Sequence, residues 1–275
     1  MTRLSLLAGA VYLGMLLVPV QQPETPNREA PKKPVLDIAL EVQALRTLYL
    51  LRITPEQTKK LQKIAKEIGA PDRKRAKPRT SDDYRRVLAD LRDALAADND
   101  DKVDELEERL LEATETEEPE MDDAVGVTVA ARRRVPDVLR LLRPPQLASY
   151  FGSVAEDVGD PQERLVAALE QVRNDGEDDW EQTRDDLAEE LGWHLGGLDS
   201  TCEKVVRKEV IALLNKSREL SAEEFKEQRA DLEKEARRVG ADVLPTDVLR
   251  HAVERTLAQL LSNPRLSEAL QARLK

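Results

Sequence analysis

Two histidines, one cysteine and a set of acidic runs are the side chains in this 275-residue sequence that could ligate, attack or relay protons. His194 lies in LGWHLGG beside Trp193, where an imidazole near a helix end could act as ligand or base. The flanking Gly192 and Gly196 point instead to a packed, structural histidine. His251, with Arg250 beside it and Glu254 three residues on, reads as part of a solvated helix face. Cys202 stands near a helix start, which could lower a thiol pKa, but no His precedes it within a turn and Glu203 follows, so a buried or inert thiol is expected. The runs DNDDKVDELEE, ETEEPEMDD and NDGEDD lack the alternating acids, central Gly and distal Glu of a calcium loop, and support only weak cation association. A single Cys precludes an internal disulfide framework and, with two His, leaves little material for a soft-metal site. No phosphate-binding loop, dinucleotide fingerprint, nucleophile elbow or His-Glu zinc motif occurs. The expectation is a protein with no enzymatic activity, no cofactor and no metal.

The charge balance limits the partners. With a net charge of -11 and 35% charged residues, the chain repels phosphate backbones, so nucleic-acid binding is not expected. Arg73, Lys74, Arg75, Lys77 and Arg79 form the one cationic concentration. They read either as a solvated loop or as an electrostatic contact with anionic lipid headgroups, an acidic partner or an acidic stretch of a second copy.

These residues must be positioned by helices. Only two Trp, two Phe and four Tyr are present, so a core has to be built from Leu, Val, Ile and Ala, which suits thin helical layers with salt-bridged outer faces. No segment shows sustained two-residue alternation with strand-type turns, and GVTV at 126–129 is too short to build a sheet. The expected fold is all-α: an irregular multi-helix bundle of antiparallel helical hairpins following an N-terminal signal or anchor segment.

Residues 1–20 differ in kind from the rest. Arg3 precedes an uncharged apolar run from Leu4 to Val18 and then Pro19, the order of a secretory signal peptide, and the run is shorter than the roughly 20 residues a spanning helix needs. No small-x-small triplet follows, so a retained membrane anchor stands as the alternative to a cleaved signal. Residues 21–34 form a Pro-rich linker, and either reading places the bulk of the protein outside the cytoplasm, in the periplasm or cell envelope.

Two helical blocks are expected after the linker, 35–152 and 160–275. In the first, Ile38, Val42, Leu45 and Leu48 make one apolar stripe, Leu61, Ile64, Ala65 and Ile68 make a second, and the pair is expected to form a hairpin ended by Gly69. A further helix is expected over 121–134, after which Pro136, Pro144 and Pro145 should chop the chain into short pieces. The second block opens with Asp160 as N-cap and Pro161 in the first turn, and its SAEEFKEQRADLEKEARRVG segment is polar enough to be an exposed or partner-contacting helix.

One pattern occurs twice. Ile53, Pro55 and Gln57 in ITPEQ are matched by Leu142, Pro144 and Gln146 in LRPPQ: an aliphatic residue, a Pro two positions on and a Gln two after that. Thr54 and Gln57 suit a capping box with Pro55 at the first helical position, and Ser221 with Glu224 makes a fuller version stapled by Leu220 and Phe225. Arg143 has no hydroxyl with which to do the same. ITPEQ also resembles the LTxxQ signature of a family of periplasmic proteins, the Spy/CpxP-like proteins, which often carry it twice, and LRPPQ is similar to a second copy. The resemblance covers residues 35–151; Ile53 stands where the family has Leu, and Arg143 where it has Thr. It implies a helical, often dimeric, ATP-independent chaperone or envelope-stress adaptor. The expected function is therefore an exported non-enzymatic envelope protein that binds protein partners, a second copy among them, through helical apolar faces. A membrane-anchored scaffolding protein without chaperone activity is the alternative.

Overall fold

Segment Val35–Leu50 is apolar nearly all the way round, and a helix of that kind has to be buried. The computed structural model, which describes residues 33–69, 81–116, 126–174 and 177–274, places it as α1 with Ile38, Leu45 and Leu48 wholly out of solvent. Twelve helices and no strand occur among the described residues. They continue as α2 (Pro55–Ile68), α3 (Asp82–Ala96), α4 (Asp100–Thr116), α5 (Val129–Leu141) and α6 (Pro144–Val158). Next come α7 (Pro161–Gln171), α8 (Glu177–Gly196), α9 (Ser200–Glu219), α10 (Ala222–Ala236), α11 (Pro245–Ser262) and α12 (Leu266–Ala272). The fold is thus an all-α multi-helix bundle. Short turns join α3 to α4 and α8 to α9, and each pair packs along its length as an antiparallel hairpin.

Local chemistry explains where helices begin. The side chains of Thr54, Ser81, Thr128, Asp160, Asp199 and Ser221 each accept from backbone N–H groups of the first turn, which satisfies donors that have no partner inside the helix. Gly69 ends α2 at φ 76, a conformation that side chains with a Cβ rarely adopt.

Three expectations need correction. The helix expected from residue 121 begins only at Val129; residues 126–128 are non-helical, and 121–125 lie outside the described residues. Pro136 does not break the chain but sits inside α5, because Ala131, Val135 and Val138 bury on both sides of it and outweigh the helical hydrogen bond a Pro cannot make. Pro144 and Pro145 open a full-length α6, where a missing N–H costs little. Finally, α1 and α2 do not pack along one another: α1 lies against α3, α11 and α12, whereas α2 lies against α5 and α12.

The described residues form one compact unit with two apolar clusters. The first surrounds α1 and is filled by α2 to α6, Trp193 of α8, the C-terminal half of α11, and α12. The second is built from α7 to α10 with Val158, Val248 and Ala252. Helices α8 and α11 contribute to both, and Val154 of α6 touches both. Polar α10 lies on α7 and α9 through Phe225, Leu232 and Ala236, leaving its other faces in solvent.

Candidate functional site

The two copies of the repeated pattern, 89 residues apart, meet. Ile53 and Leu142, the aliphatic first positions, are both buried in the first cluster. Pro55 and Pro144 each take the first position of a helix. Gln57 and Gln146 each take the third position, and their amides face one another. Gln57 Nε2 donates to Gln146 Oε1 at 2.8 Å, and Gln146 Nε2 donates to Gln57 Oε1 at 3.0 Å.

The remaining capacity of both amides goes to the opposite motif or to the helix each one starts. Gln57 Oε1 accepts from Thr54 N–H at 2.9 Å, and Gln146 Oε1 accepts from Arg143 N–H at 2.9 Å. Gln57 Nε2 donates to the Leu141 carbonyl at 2.6 Å, just before the second motif. Gln146 Nε2 donates to the carbonyls of Arg52 at 2.7 Å and Leu51 at 3.1 Å, just before the first. Every amide hydrogen and every oxygen lone pair of the two side chains is therefore used. The arrangement is a reciprocal clasp: each Gln caps its own helix and ties down the end of the helix that precedes the other.

Asymmetry is confined to the second positions. Thr54 Oγ1 accepts from Gln57 N–H at 3.3 Å, completing a capping box. Arg143 offers no acceptor, and the Gln146 N–H turns instead to the Arg143 carbonyl at 2.9 Å. Ser221 and Glu224 make a separate box on exposed α10, where Glu224 N–H donates to Ser221 Oγ at 3.3 Å and Ser221 N–H donates to the Glu224 carboxylate at 2.9 Å. The Ser221 backbone N–H, and after it the Ser221 hydroxyl, hold the Glu224 carboxyl below its usual pKa. This box lies apart from the clasp and serves α10 alone. Arg73, Lys74, Arg75, Lys77 and Arg79 fall outside the described residues.

A second polar group, which the sequence flagged only through His194, surrounds Trp193. Arg132 of α5 lies 4.3 Å from the Trp193 ring centroid and Arg255 of α11 lies 5.9 Å from it. Arg132 also binds buried Glu203 of α9 at 2.5 Å. Gly196 makes that approach possible, since a Cβ there would stand 2.5 Å from the Glu203 backbone N and Cα. His194 is buried, and burial first, then the positive charge of Arg255 and Arg164, pushes its pKa down to about 4. His251 places Nδ1 3.0 Å from the His194 carbonyl and its ring against Gly197, so it is a packed residue of the α8–α11 contact rather than a solvated one. Cys202 is exposed in the first turn of α9, so of the expected buried or inert thiol the buried alternative is corrected.

The clasp holds no titratable side chain, and no cluster of three or more His, Cys, Asp or Glu placed to hold a metal occurs among the described residues. A cleft of about 120 Å³ between α1 and α11, lined by Gln43, Thr47, Thr256, Gln259 and Asn263, has no ionisable residue on its walls. No protein-family model, curated protein or solved structure matches the chain. What the clasp does chemically is to join four helix ends, those of α1, α2, α5 and α6, through uncharged hydrogen bonds.

The pairing of Gln57 with Gln146 was not read from the sequence, although the signal was there. A capping box accepts Glu as readily as Gln at its third position, and both copies carry Gln. A carboxylate could accept but not donate, so the shared amide marks a residue that must do both.

Proposed function

We propose that this is an exported, non-enzymatic envelope protein of the chaperone-like or stress-adaptor-like kind, acting by binding other proteins. The observation that carries this reading is the clasp. The resemblance to the LTxxQ proteins rested on two short patterns far apart in sequence, and these form one hydrogen-bonded unit in which aliphatic residue, Pro and Gln each have a distinct task. Two unrelated helix starts would have no reason to share a partner. Export rests on the basic, apolar and polar order of residues 1–34.

The mode of binding follows from what the fold leaves on its surface. The apolar faces of α1 and of its neighbours are enclosed by the fold itself, so the notion of broad apolar faces held ready for partners has to be narrowed. Large apolar side chains exposed among the described residues are Leu50, Leu111, Val129 and Val205, on four different helices, and Leu244, just before α11. Single aliphatic contacts set in a mixed-charge helical surface favour weak, reversible binding over a tight hydrophobic seal. The test is aggregation of a thermally unfolding substrate protein in the presence of the purified chain. Suppression at several-fold molar excess is expected, and no suppression at that excess overturns the chaperone-like reading.

A further inference from the structure

The only two histidines in the chain, 57 residues apart, meet where α8 packs on α11. This contact is also where the two apolar clusters join, since Trp193 belongs to the first while Leu191 and Leu195 belong to the second. His194 is 6% exposed, and its Nδ1 makes no hydrogen bond; Glu190 Oε1 lies 3.9 Å from it. That same oxygen is held by Arg164 of α7 at 2.5 Å.

The other charges around the imidazole are committed in the same way. Glu189, on the same helix, faces Arg255 of α11 at 3.9 Å. Glu203 of α9 is held by Arg132 of α5 at 2.5 Å. On α11, Arg250 pairs with Asp247 at 3.0 Å, and the half-buried Glu254 has its pKa raised by burial. Glu190, Glu189 and Glu203 therefore already have guanidinium partners, and a new positive charge on Nδ1 would arrive beside Arg164 and Arg255. His251 is in a different position: its Nδ1–H donates to the His194 carbonyl, and Arg250 lies 3.4 Å from its Nε2.

We propose that the α8–α11 contact is an acid-released joint, in which protonation of His194 separates α8 from α11 and opens the seam between the two apolar clusters while helices α1 to α6 stay folded. The direction follows from burial and positive neighbours, which lower the His194 pKa from its ordinary 6.5 to about 4. A neutral imidazole is favoured in the folded state, so the joint is fully held above pH 6.5, weakens as the pH falls below that, and is fully weakened once the pH has passed 4. Gly197, at φ 64 and with the His251 ring 2.6 Å from where a Cβ would stand, places the turn after α8 directly against α11. A charge on the His194 imidazole would face Arg255 of α11, so the repulsion acts across this same joint. This inference is independent of the proposed function.

The experiment follows Trp193 in the full chain carrying Trp180→Phe, recording its emission between pH 7 and pH 3.5 beside far-ultraviolet circular dichroism. A red shift of Trp193 between pH 6.5 and 4, with most helical signal retained, is expected. His194→Gln should move the midpoint at least about one pH unit toward acid, because the proton acceptor is gone, and His251→Gln should leave it in place. A transition unchanged by His194→Gln, or abolished by His251→Gln, overturns the proposal. Should His194→Gln fail to fold, the imidazole resonances of the unsubstituted chain decide: His194 titrating near 6.5, or titrating near 4 with no accompanying change at Trp193, overturns the joint, and titration near 4 together with the Trp193 red shift upholds it.

Discussion

Gln57 shows why residue type matters more than motif length. If it were only a helix cap, Gln57→Glu would be neutral or favourable, since Glu serves the same role in the box at Ser221. In the clasp, a carboxylate oxygen would instead face the Leu141 carbonyl and the Gln146 oxygen, where Gln57 now donates at 2.6 and 2.8 Å. Gln57→Ala is expected to cost about 2–4 kcal/mol, through lost hydrogen bonds and stranded partners, and Gln57→Glu to cost more than Gln57→Ala. Urea unfolding of both variants checks the order, and a Glu variant as stable as the parent would remove the clasp from the account. Combining Gln57→Ala with Gln146→Ala should cost less than the two separate losses together by about 1–2 kcal/mol, because either change alone already breaks the reciprocal bonds.

At the scale of elements, α8 and α9 lie close because Gly196 has no Cβ. Gly196→Ala would drive a methyl into the Glu203 backbone and push α9 away from α5, breaking the Arg132 and Glu203 pair beside Trp193. A loss of about 2–3 kcal/mol is expected, with altered Trp193 fluorescence, whereas Gly152→Ala, which meets nothing within 4 Å, should be near neutral. Much of this level was legible beforehand. The apolar stripes of α1 and α2, the stop at Gly69 and the starts at Thr54, Asp160 and Ser221 are local facts, written within one turn of sequence. The errors fell where distant residues decide. Pro136 looked like a breaker because the packing that keeps α5 whole is contributed by other helices. The expected α1–α2 hairpin failed because α2 takes its place from the Gln57 bond to Leu141, 84 residues on, and from α12, neither of which periodicity can reveal.

For the molecule as a whole, residues 263–274 close the first apolar cluster. Asn263 Nδ2 donates to the Leu40 carbonyl at 2.9 Å, Arg265 binds Asp37 at 2.5 Å, and Leu266, Ala269 and Leu270 are buried in that cluster, where α12 packs on α1 and α2. Arg273 reaches Asp98 at 2.7 Å in the turn between α3 and α4. A chain ending at Ser262 is therefore expected to lose cooperative unfolding of the first cluster, read as a broadened denaturant transition with a lower midpoint; a sharp, unshifted transition would show that α12 is dispensable.

This closure also sets an order in time. The contact between Asn263 and Leu40 spans 223 residues, so a ribosome has to make nearly the whole described chain before α1, which α3 can cover early, is fully enclosed. Until then, the side of α1 that α11 and α12 cover stays open to solvent and to other chains. Pairings of such long range form late and slowly, and the unfinished chain is itself a client for whatever shields nascent polypeptides.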